Sequence, residues 1–215
     1  MAVVDLIFRL VGQELPLDHR YALYGAVCRI LPSLHGSTRV GLCPITGTFV
    51  GNGKLLLGDH SCLRLRVDAE RVAELGIIKL AGQRLEIDGC SIVVGTPSMT
   101  TLVPASRLHA DLVVIKIEEV SNGAKITPDL FLTSTRKQLA TLQVHGEAAI
   151  PLILTGPHAG EPRRKVLRIK DRTVVGYSLI VEGLAADESI KLQEDGIGGR
   201  RLMGCGLFLP LHDGR

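Results

Sequence analysis

Apolar residues recur along the start of the chain with spacings that predict a strand followed by a helix. Val3 to Val11 is a continuous run rich in β-branched residues, which is typical of a strand. In LPLDHRYALYGAVCRILP, at 15–32, apolar residues recur every three to four positions, which is the spacing of one helix face. Pro16 suits the first helical turn, and Pro32 is predicted to end the helix.

Further strands and a second helix complete this half of the chain. Strands are predicted at 48–57 and 62–67, Asp68 is predicted to cap a short helix, and 84–94 returns as strands. The resulting order, β-α-β-β-α-β, is the ferredoxin-like pattern.

The second half repeats that order. A strand at 112–117 precedes a helix at 127–142 that Thr127 and Pro128 open. The remaining predicted elements are strands at 150–154, 166–170, 173–181 and 207–211 and a helix at 186–193. We therefore predict an α+β fold of two tandem ferredoxin-like (RRM-like) βαββαβ domains with antiparallel sheets, at 1–96 and 105–215, with 97–104 as the linker.

The composition indicates a folded protein and argues against one mode of nucleic-acid recognition, namely base stacking. The 215 residues are 46% hydrophobic and 22% charged, which is ordinary for a folded protein, and the net charge of +3 permits a nucleic-acid partner without requiring one. Aromatic residues make up 3% of the chain, so recognition by base stacking across a sheet is not expected. Any RNA or DNA contact should depend on phosphate groups.

The cysteines and the apolar runs bear on the compartment. Five cysteines, an odd number without CxxC spacing, indicate neither a disulfide framework nor a thiolate zinc site. The chain starts without a basic segment followed by a long apolar run, and its apolar runs stay well below the roughly 20 residues that span a bilayer. We expect a cytoplasmic protein without a membrane partner.

A glycine-rich segment, GIGGRRLMGCGLF at 196–208, is the most informative motif. Glycines let main-chain N–H groups approach an anion, and adjacent arginines supply charge and forked donors. The segment is a candidate phosphate-binding loop, and an ordinary glycine-rich turn is the alternative. It precedes a strand and not a long helix, so it does not fit a dinucleotide-binding fingerprint. Its candidate residues are Gly196, Gly198, Gly199, Arg200, Arg201, Gly204 and Gly206.

A basic cluster, PRRKVLRIKDR at 162–172, is the second candidate. Period-two alternation within VLRIK places Arg168 and Lys170 on one face of a strand and the apolar residues largely toward the core. We interpret the cluster as a hairpin that clamps nucleic-acid phosphates, and a solvated edge strand that resists aggregation is the alternative. Its candidate residues are Arg163, Arg164, Lys165, Arg168 and Lys170.

Histidines are the candidates for catalysis. His35 follows the first helix in SLHGST, where a loop can bring an imidazole to a phosphodiester, and His19 on the first turn of that helix is the reserve. Neither lies in an HExxH or HxE arrangement, and the carboxylates do not cluster as two-metal chemistry requires. Any catalysis is therefore expected to need neither a metal nor a cofactor.

These features together resemble one known family, the Cas six endoribonucleases, which process CRISPR repeat RNA and belong to the repeat-associated (RAMP) superfamily. The features are the duplicated ferredoxin-like fold, the histidine after the first helix, and the C-terminal GIGGRRLMGCGLF. Three stretches look like one compact branch of that family: LPLDHRYALYGAVCRILPSLHG, RRKVLRIKDRTVVGYSLIVEGL and ADESIKLQEDGIGGRRLMGCG. The resemblance covers most of the chain.

The resemblance implies binding of a CRISPR repeat transcript, expected as a stem-loop, and one metal-independent cut that matures guide RNA. A ribose 2′-hydroxyl would attack the adjacent phosphate, leaving a 2′,3′-cyclic phosphate and a 5′-hydroxyl. His35 matches the family's catalytic histidine, with Tyr24 or Arg39 as helpers and His19 as the next candidate. The glycine-rich segment and the basic hairpin are expected at RNA phosphates, with mature guide RNA and further effector-complex subunits as partners.

Two other function classes stay open at this point. A non-catalytic subunit of the same superfamily would hold guide RNA without cutting it, and replacement of His35 separates that class from a nuclease. A metabolic enzyme on a ferredoxin-like scaffold would bind a small anion, because a fold alone does not fix a function. A salt titration separates this last class, since contacts to several phosphates weaken steeply with added salt.

Overall fold

Two units make up the fold, and each has its own apolar core. The computed structural model describes residues 2–117 and 126–211 of the chain. Unit 1 comprises Met1–Leu102 and Arg201–Gly204, and unit 2 comprises Val103–Arg200 and Cys205–Arg215. The return of four residues to unit 1 near the end of the chain was not predicted. No helix in the described ranges is long and apolar enough to cross a membrane.

Unit 1 carries the predicted β-α-β-β-α-β order with additions. In chain order its elements are β1 (Val3–Val11), β2 (Glu14–Pro16), α1 (Arg20–Ile30), a 3-10 turn (Pro32–Leu34), β3 (Gly41–Leu42), β4 (Thr48–Phe49), β5 (Lys54–Leu56), β6 (Cys62–Asp68), α2 (Arg71–Glu74), a 3-10 turn (Ile77–Leu80), β7 (Arg84–Ile87) and β8 (Cys90–Thr101). A last 3-10 turn, Arg201–Met203, also belongs to this unit.

The main sheet of unit 1 has the antiparallel order β3-β6-β1-β8-β7. Leu6 of β1 lies opposite Leu65 of β6, and both are buried together with Phe8 on the same face of the sheet. Leu23 and Val27 of α1 belong to the same core cluster. The central position of β1 between β6 and β8 is the ferredoxin-like arrangement, as predicted.

Three local predictions for unit 1 are wrong. Residues 97–101 of the expected linker form the end of β8, where Thr101 pairs with Val4 of β1, because Pro97 lies beside an irregularity of the ladder and the pairing continues regularly after it. Pro16 lies in β2, which pairs with β5 in a small second sheet of order β2-β5-β4. Asp68 ends β6 and does not cap α2, because the chain makes a further turn before the helix begins.

Unit 2 repeats the topology. Its elements are β9 (Arg107–Val113), α3 (Pro128–Thr141), β10 (Glu147–Ala149), β11 (Arg164–Ile169), β12 (Arg172–Glu182), α4 (Ala186–Asp195) and β13 (Leu209–Pro210). The antiparallel order is β10-β12-β9-β13, and β11 pairs with β12. Phe131 of α3 and Phe208 are buried with Leu179 of β12 in its core. The predicted fold class is therefore confirmed in both units.

Two strands of unit 2 lie earlier in the chain than predicted. The ladder of β9 uses 107–113, where polar and apolar residues alternate, and not the apolar run 112–117. The predicted strand at 150–154 is not a strand: β10 ends at Ala149, and Leu152 forms an isolated bridge with Pro162, which has no N–H to extend a ladder. Leu154, within the apolar run that suggested this strand, is 82% exposed.

Candidate functional site

The end of α1 fixes the backbone of His35. The amide of Leu31 donates to Val27 O at 2.9 Å, which closes the helix, and the 3-10 turn that follows changes the chain direction. The amide of His35 then donates to Pro32 O at 3.0 Å, and the Ser33 hydroxyl donates to Leu75 O at 3.1 Å. His35 itself is exposed. Unit 1 thus presents an imidazole to solvent from a hydrogen-bonded turn.

Tyr24 of α1 contacts that imidazole. The ring centroids of Tyr24 and His35 are 6.2 Å apart, with a 36° angle between the ring planes. Burial, followed by the Cys28 thiol to which Tyr24 is hydrogen-bonded, raises the pKa of Tyr24. The phenol therefore stays protonated at neutral pH. Cys28 was not a predicted site residue, although its spacing of four from Tyr24 in a helix indicates the contact.

His19 has a structural environment. It is 2% exposed, its Nδ1 donates to Pro16 O at 2.8 Å, and its Nε2 accepts from the Ile45 amide at 3.0 Å. A carbonyl only accepts and an amide only donates, so these partners define the Nδ1-protonated neutral ring. Burial lowers the pKa of His19, which favours the same form. The ring therefore joins the start of α1 to the segment at 44–46.

Arg39 forms a two-bond ion pair. Its Nε donates to Asp68 Oδ2 at 2.9 Å and its Nη2 donates to Asp68 Oδ1 at 3.1 Å. The side chain of Arg39 is 58% exposed whereas that of Asp68 is buried. The hydrogen bond from Arg39 lowers the pKa of Asp68. The guanidinium is thus oriented by a carboxylate while part of it stays at the surface.

The glycine-rich segment uses its amides within the protein. Among the predicted glycines of unit 2, the N–H groups donate to Leu192 O (Gly196, 3.0 Å), Gln138 Oε1 (Gly198, 2.7 Å), Val114 O (Gly199, 3.0 Å) and Leu112 O (Gly206, 2.8 Å). In unit 1, the amide of Gly204 donates to Arg201 O at 3.0 Å. These five amides already have acceptors within the protein, so the structure does not support a phosphate cradle made from them.

Backbone geometry explains why glycine occupies most of these positions. Gly198, Gly204 and Gly206 have φ values of +74°, +73° and +66°, in the left-handed region. A Cβ at Gly198 would overlap the Val114 carbonyl, and one at Gly206 would overlap the Ile197 carbonyl. The glycines let the segment pack closely, which leaves the arginines as its cationic groups.

The two arginines of the segment lie in different settings. Arg200 is exposed and has a φ of +66°, which is unusual for a residue with a side chain. Arg201 begins the 3-10 turn that contacts α1 and β3 within unit 1, where Leu202 joins the apolar core. The next glycine carbonyl, Gly204 O, accepts from Arg20 Nη1 at 2.6 Å. Arg201 therefore belongs to the same unit as His35.

The basic cluster forms a hairpin, as predicted. β11 and β12 pair from Ile169 and Arg172 at the turn to Arg164 and Tyr177. Arg164, Val166 and Arg168 are exposed, and Leu167 is buried.

Both lysines of the basic cluster differ from the expectation for this hairpin. Lys170 lies in the two-residue turn with a φ of +52°, so its predicted place on a strand face is wrong. Lys165, on the other face from Arg164, forms an ion pair with Asp111 of β9. Arg163, before β11, donates its amide to Pro151 O at 2.8 Å, so its backbone is fixed beside the hairpin. The exposed cations of the hairpin are therefore on one strand face and at its tip.

The side chains that commonly bind metal ions are not grouped in the part of the chain that the structure describes. Within residues 2–117 and 126–211, no group of three or more His, Cys, Asp or Glu side chains is placed to hold a metal ion.

Solved structures share this fold of tandem ferredoxin-like units with antiparallel sheets. A RAMP protein described as binding different RNA substrates superposes with a TM-score of 0.64, at 13% identity, over 99% of this chain and 100% of that one. The product of a Cas6-related gene from Pyrococcus furiosus superposes with a TM-score of 0.62, at 12% identity, over 99% of each chain. At these identities the likeness concerns the fold.

Sequence comparison gives the family. Residues 4–213 match the Cas6 CRISPR family. The CRISPR-associated endonuclease Cas6 of Myxococcus xanthus is 37% identical over 210 residues, which are 98% of this chain and 82% of that protein. The chain belongs to the Cas6 family, so the resemblance found in the sequence is confirmed.

Proposed function

We propose that this protein is an endoribonuclease that cleaves CRISPR repeat transcripts to mature guide RNA. The exposed His35 in contact with Tyr24 is the observation that carries the proposal, because an exposed imidazole on a hydrogen-bonded turn is a side chain that can transfer protons. Membership of the Cas6 family and the name of the Myxococcus xanthus relative, an endonuclease, support the substrate class and the reaction.

The proposed reaction is a transesterification within the RNA. The 2′-oxygen attacks the adjacent phosphorus, the new P–O2′ bond forms, and the P–O5′ bond breaks. His35 in its neutral form accepts the 2′-proton, and the protonated Tyr24 phenol donates a proton to the departing 5′-oxygen. The products are a 2′,3′-cyclic phosphate and a 5′-hydroxyl, so no water is consumed in this step.

Arg39 is the second proposed helper, and its guanidinium, oriented by Asp68, would contact a non-bridging phosphate oxygen. His19 is not included, because both of its ring nitrogens bond to the backbone in a buried position. We propose that these steps need no metal ion. Cleavage should therefore persist in excess EDTA, and a strict requirement for magnesium would overturn this mechanism.

RNA phosphates are proposed to bind the cations of the glycine-rich segment and of the hairpin. Arg200 and Arg201 supply the first group. In this proposal Gly196, Gly198, Gly199, Gly204 and Gly206 shape the segment and need not offer amides to RNA. The hairpin cations, Arg163, Arg164, Lys165, Arg168 and Lys170, are proposed to grip the stem of a repeat stem-loop and to retain mature guide RNA.

The experiment that tests the function compares His35→Ala with His60→Ala, another exposed histidine of unit 1. A panel of repeat RNAs is incubated with each protein in EDTA, and the product ends are analysed. We expect His35→Ala to lose about 100- to 10,000-fold in rate while binding is kept. His60→Ala should cut at the wild-type rate.

Three outcomes distinguish the remaining classes of protein. Cutting by His35→Ala at the wild-type rate would refute the assigned role of that side chain. Wild-type protein that binds repeat RNA without cutting it would identify a non-catalytic guide-RNA subunit. Affinity that barely changes between low and high salt would indicate a small-anion site, because several phosphate contacts give a steep dependence.

A further inference from the structure

A glycine in the middle of α1 has no structural role that the described residues explain. Gly25 lies within Arg20–Ile30, where glycine weakens a helix relative to alanine. A Cβ placed on Gly25 would meet no described atom within 4 Å, apart from those of its chain neighbours and its own helix backbone. Its φ is also outside the left-handed region. Neither close packing nor backbone conformation therefore accounts for glycine at this position.

The surface around Gly25 is the surface that carries the proposed chemistry. At about 100° per residue, Tyr21, Tyr24, Gly25 and Cys28 fall within an arc of about 100° on α1. All four are partly exposed. The imidazole of His35 lies beside this arc, because it contacts the Tyr24 ring. One edge of the surface is thus built up by side chains, and the position of Gly25 is open.

A positive charge lies one turn further along the same side of the helix. Arg29 is exposed, four residues after Gly25, and its Nη2 donates to Glu86 O at 3.0 Å. This bond fixes the guanidinium at the Glu86 carbonyl, one helical turn from Gly25 along α1. An anionic chain that passes over Gly25 would therefore meet a cation beside the gap.

We propose that the RNA backbone next to the cleaved bond lies against α1 at Gly25. This inference rests on the proposed nuclease function and adds a binding position to it. A 2′-oxygen can reach phosphorus only when the strand is held in one geometry beside His35, and a methyl group at position 25 would hold the strand away from the helix. A displacement of about 1 Å of a reacting group can cost about 100-fold in rate.

The test uses Gly25→Ala and Gly25→Leu, with Ala140→Leu on the exposed side of α3 as the control for added bulk. Single-turnover cleavage of repeat RNA and thermal unfolding are measured for each protein. We expect Gly25→Ala to raise the unfolding temperature by about 2 °C and to slow cleavage about tenfold. Gly25→Leu should slow cleavage about 100-fold, and Ala140→Leu should not change it.

A gain in stability with a loss of activity is the signature of the proposed contact. Gly25→Ala and Gly25→Leu proteins that cut at the wild-type rate would overturn it, and so would a lower unfolding temperature for Gly25→Ala, since the glycine would then have a structural role. These results leave the proposed function standing as long as His35→Ala is inactive. Wild-type protein that does not cut repeat RNA would instead refute the function itself.

Discussion

Replacement of Gly204 by alanine should destabilise unit 1. Gly204 has a φ of +73°, and an added Cβ would lie 2.6 Å from Arg20 Nη1, 2.8 Å from Pro44 Cδ and 3.1 Å from Leu42 O. The proline ring and the carbonyl cannot rotate away. Arg20 is held as well, because it donates to Gly204 O at 2.6 Å. The added methyl group therefore requires the backbone to move.

The size of this effect follows from two contributions. Alanine in a left-handed backbone costs about 1–2 kcal/mol, and overpacking of a filled site costs about 1–3 kcal/mol. We expect the free energy of unfolding to fall by about 2–5 kcal/mol. Gly199 is the matched control, since its φ is not left-handed and an added Cβ meets no described atom within 4 Å. Gly199→Ala should stay within about 0.5 kcal/mol of the wild type.

Urea denaturation followed by circular dichroism measures both variants. The two units can unfold in separate transitions, so the full curve is fitted and the change is assigned to the transition that moves. Gly204→Ala with wild-type stability would refute the packing argument. Equal losses in the free energy of unfolding for both variants would contradict it too, because they would show that the effect is not specific to the packing around Gly204.

Two further predictions concern charged side chains. Asp5 accepts hydrogen bonds from Arg64 and from Arg66, which is 1% exposed, so Asp5→Ala should cost about 3–5 kcal/mol in urea denaturation. Glu14→Ala, which breaks the exposed pair with Lys54, should cost about 1 kcal/mol or less, and similar losses for both would contradict the burial argument. In unit 2, the N–H groups of Ala185 and His145 lower the pKa of Glu188 to about 2 from its ordinary 4.5. A depressed pKa stabilises the folded state above pH 4.5 and loses that effect as the pH falls to about 2, so Glu188→Gln should lower the unfolding temperature at pH 7 by an amount that shrinks over this range. A constant difference from pH 7 to pH 2 would contradict this assignment.

Local periodicity was sufficient to predict much of the fold. β1 has the predicted bounds, and α3 begins after Thr127, whose hydroxyl accepts from the Leu130 amide at 3.4 Å. These features depend on residues close together in the chain. The strand at 112–117 was misplaced because an apolar run alone does not show which of its residues a distant partner strand will pair with.

The candidate site was less predictable, for reasons of distance along the chain. The acceptor for Gly198 is Gln138, 60 residues away, and the glycine pattern contains no sign of it. The glycine spacing therefore indicated an anion-binding loop, whereas the amides of these glycines donate hydrogen bonds to acceptors within the protein. The contact between Tyr24 and His35 depends on a turn after α1 that hydrophobic periodicity does not describe.

The four residues at 201–204 restrict how this protein could exchange parts with its relatives during evolution. A gene fragment ending at Leu102 would encode the first unit without Leu202, a member of its apolar core, and without the carbonyl of Gly204 that binds the buried Arg20. A hybrid made by joining halves of two family members would combine an α1 and a 201–204 segment of different origin. Recombination at the apparent boundary should therefore succeed only between parents whose sequences agree at both places.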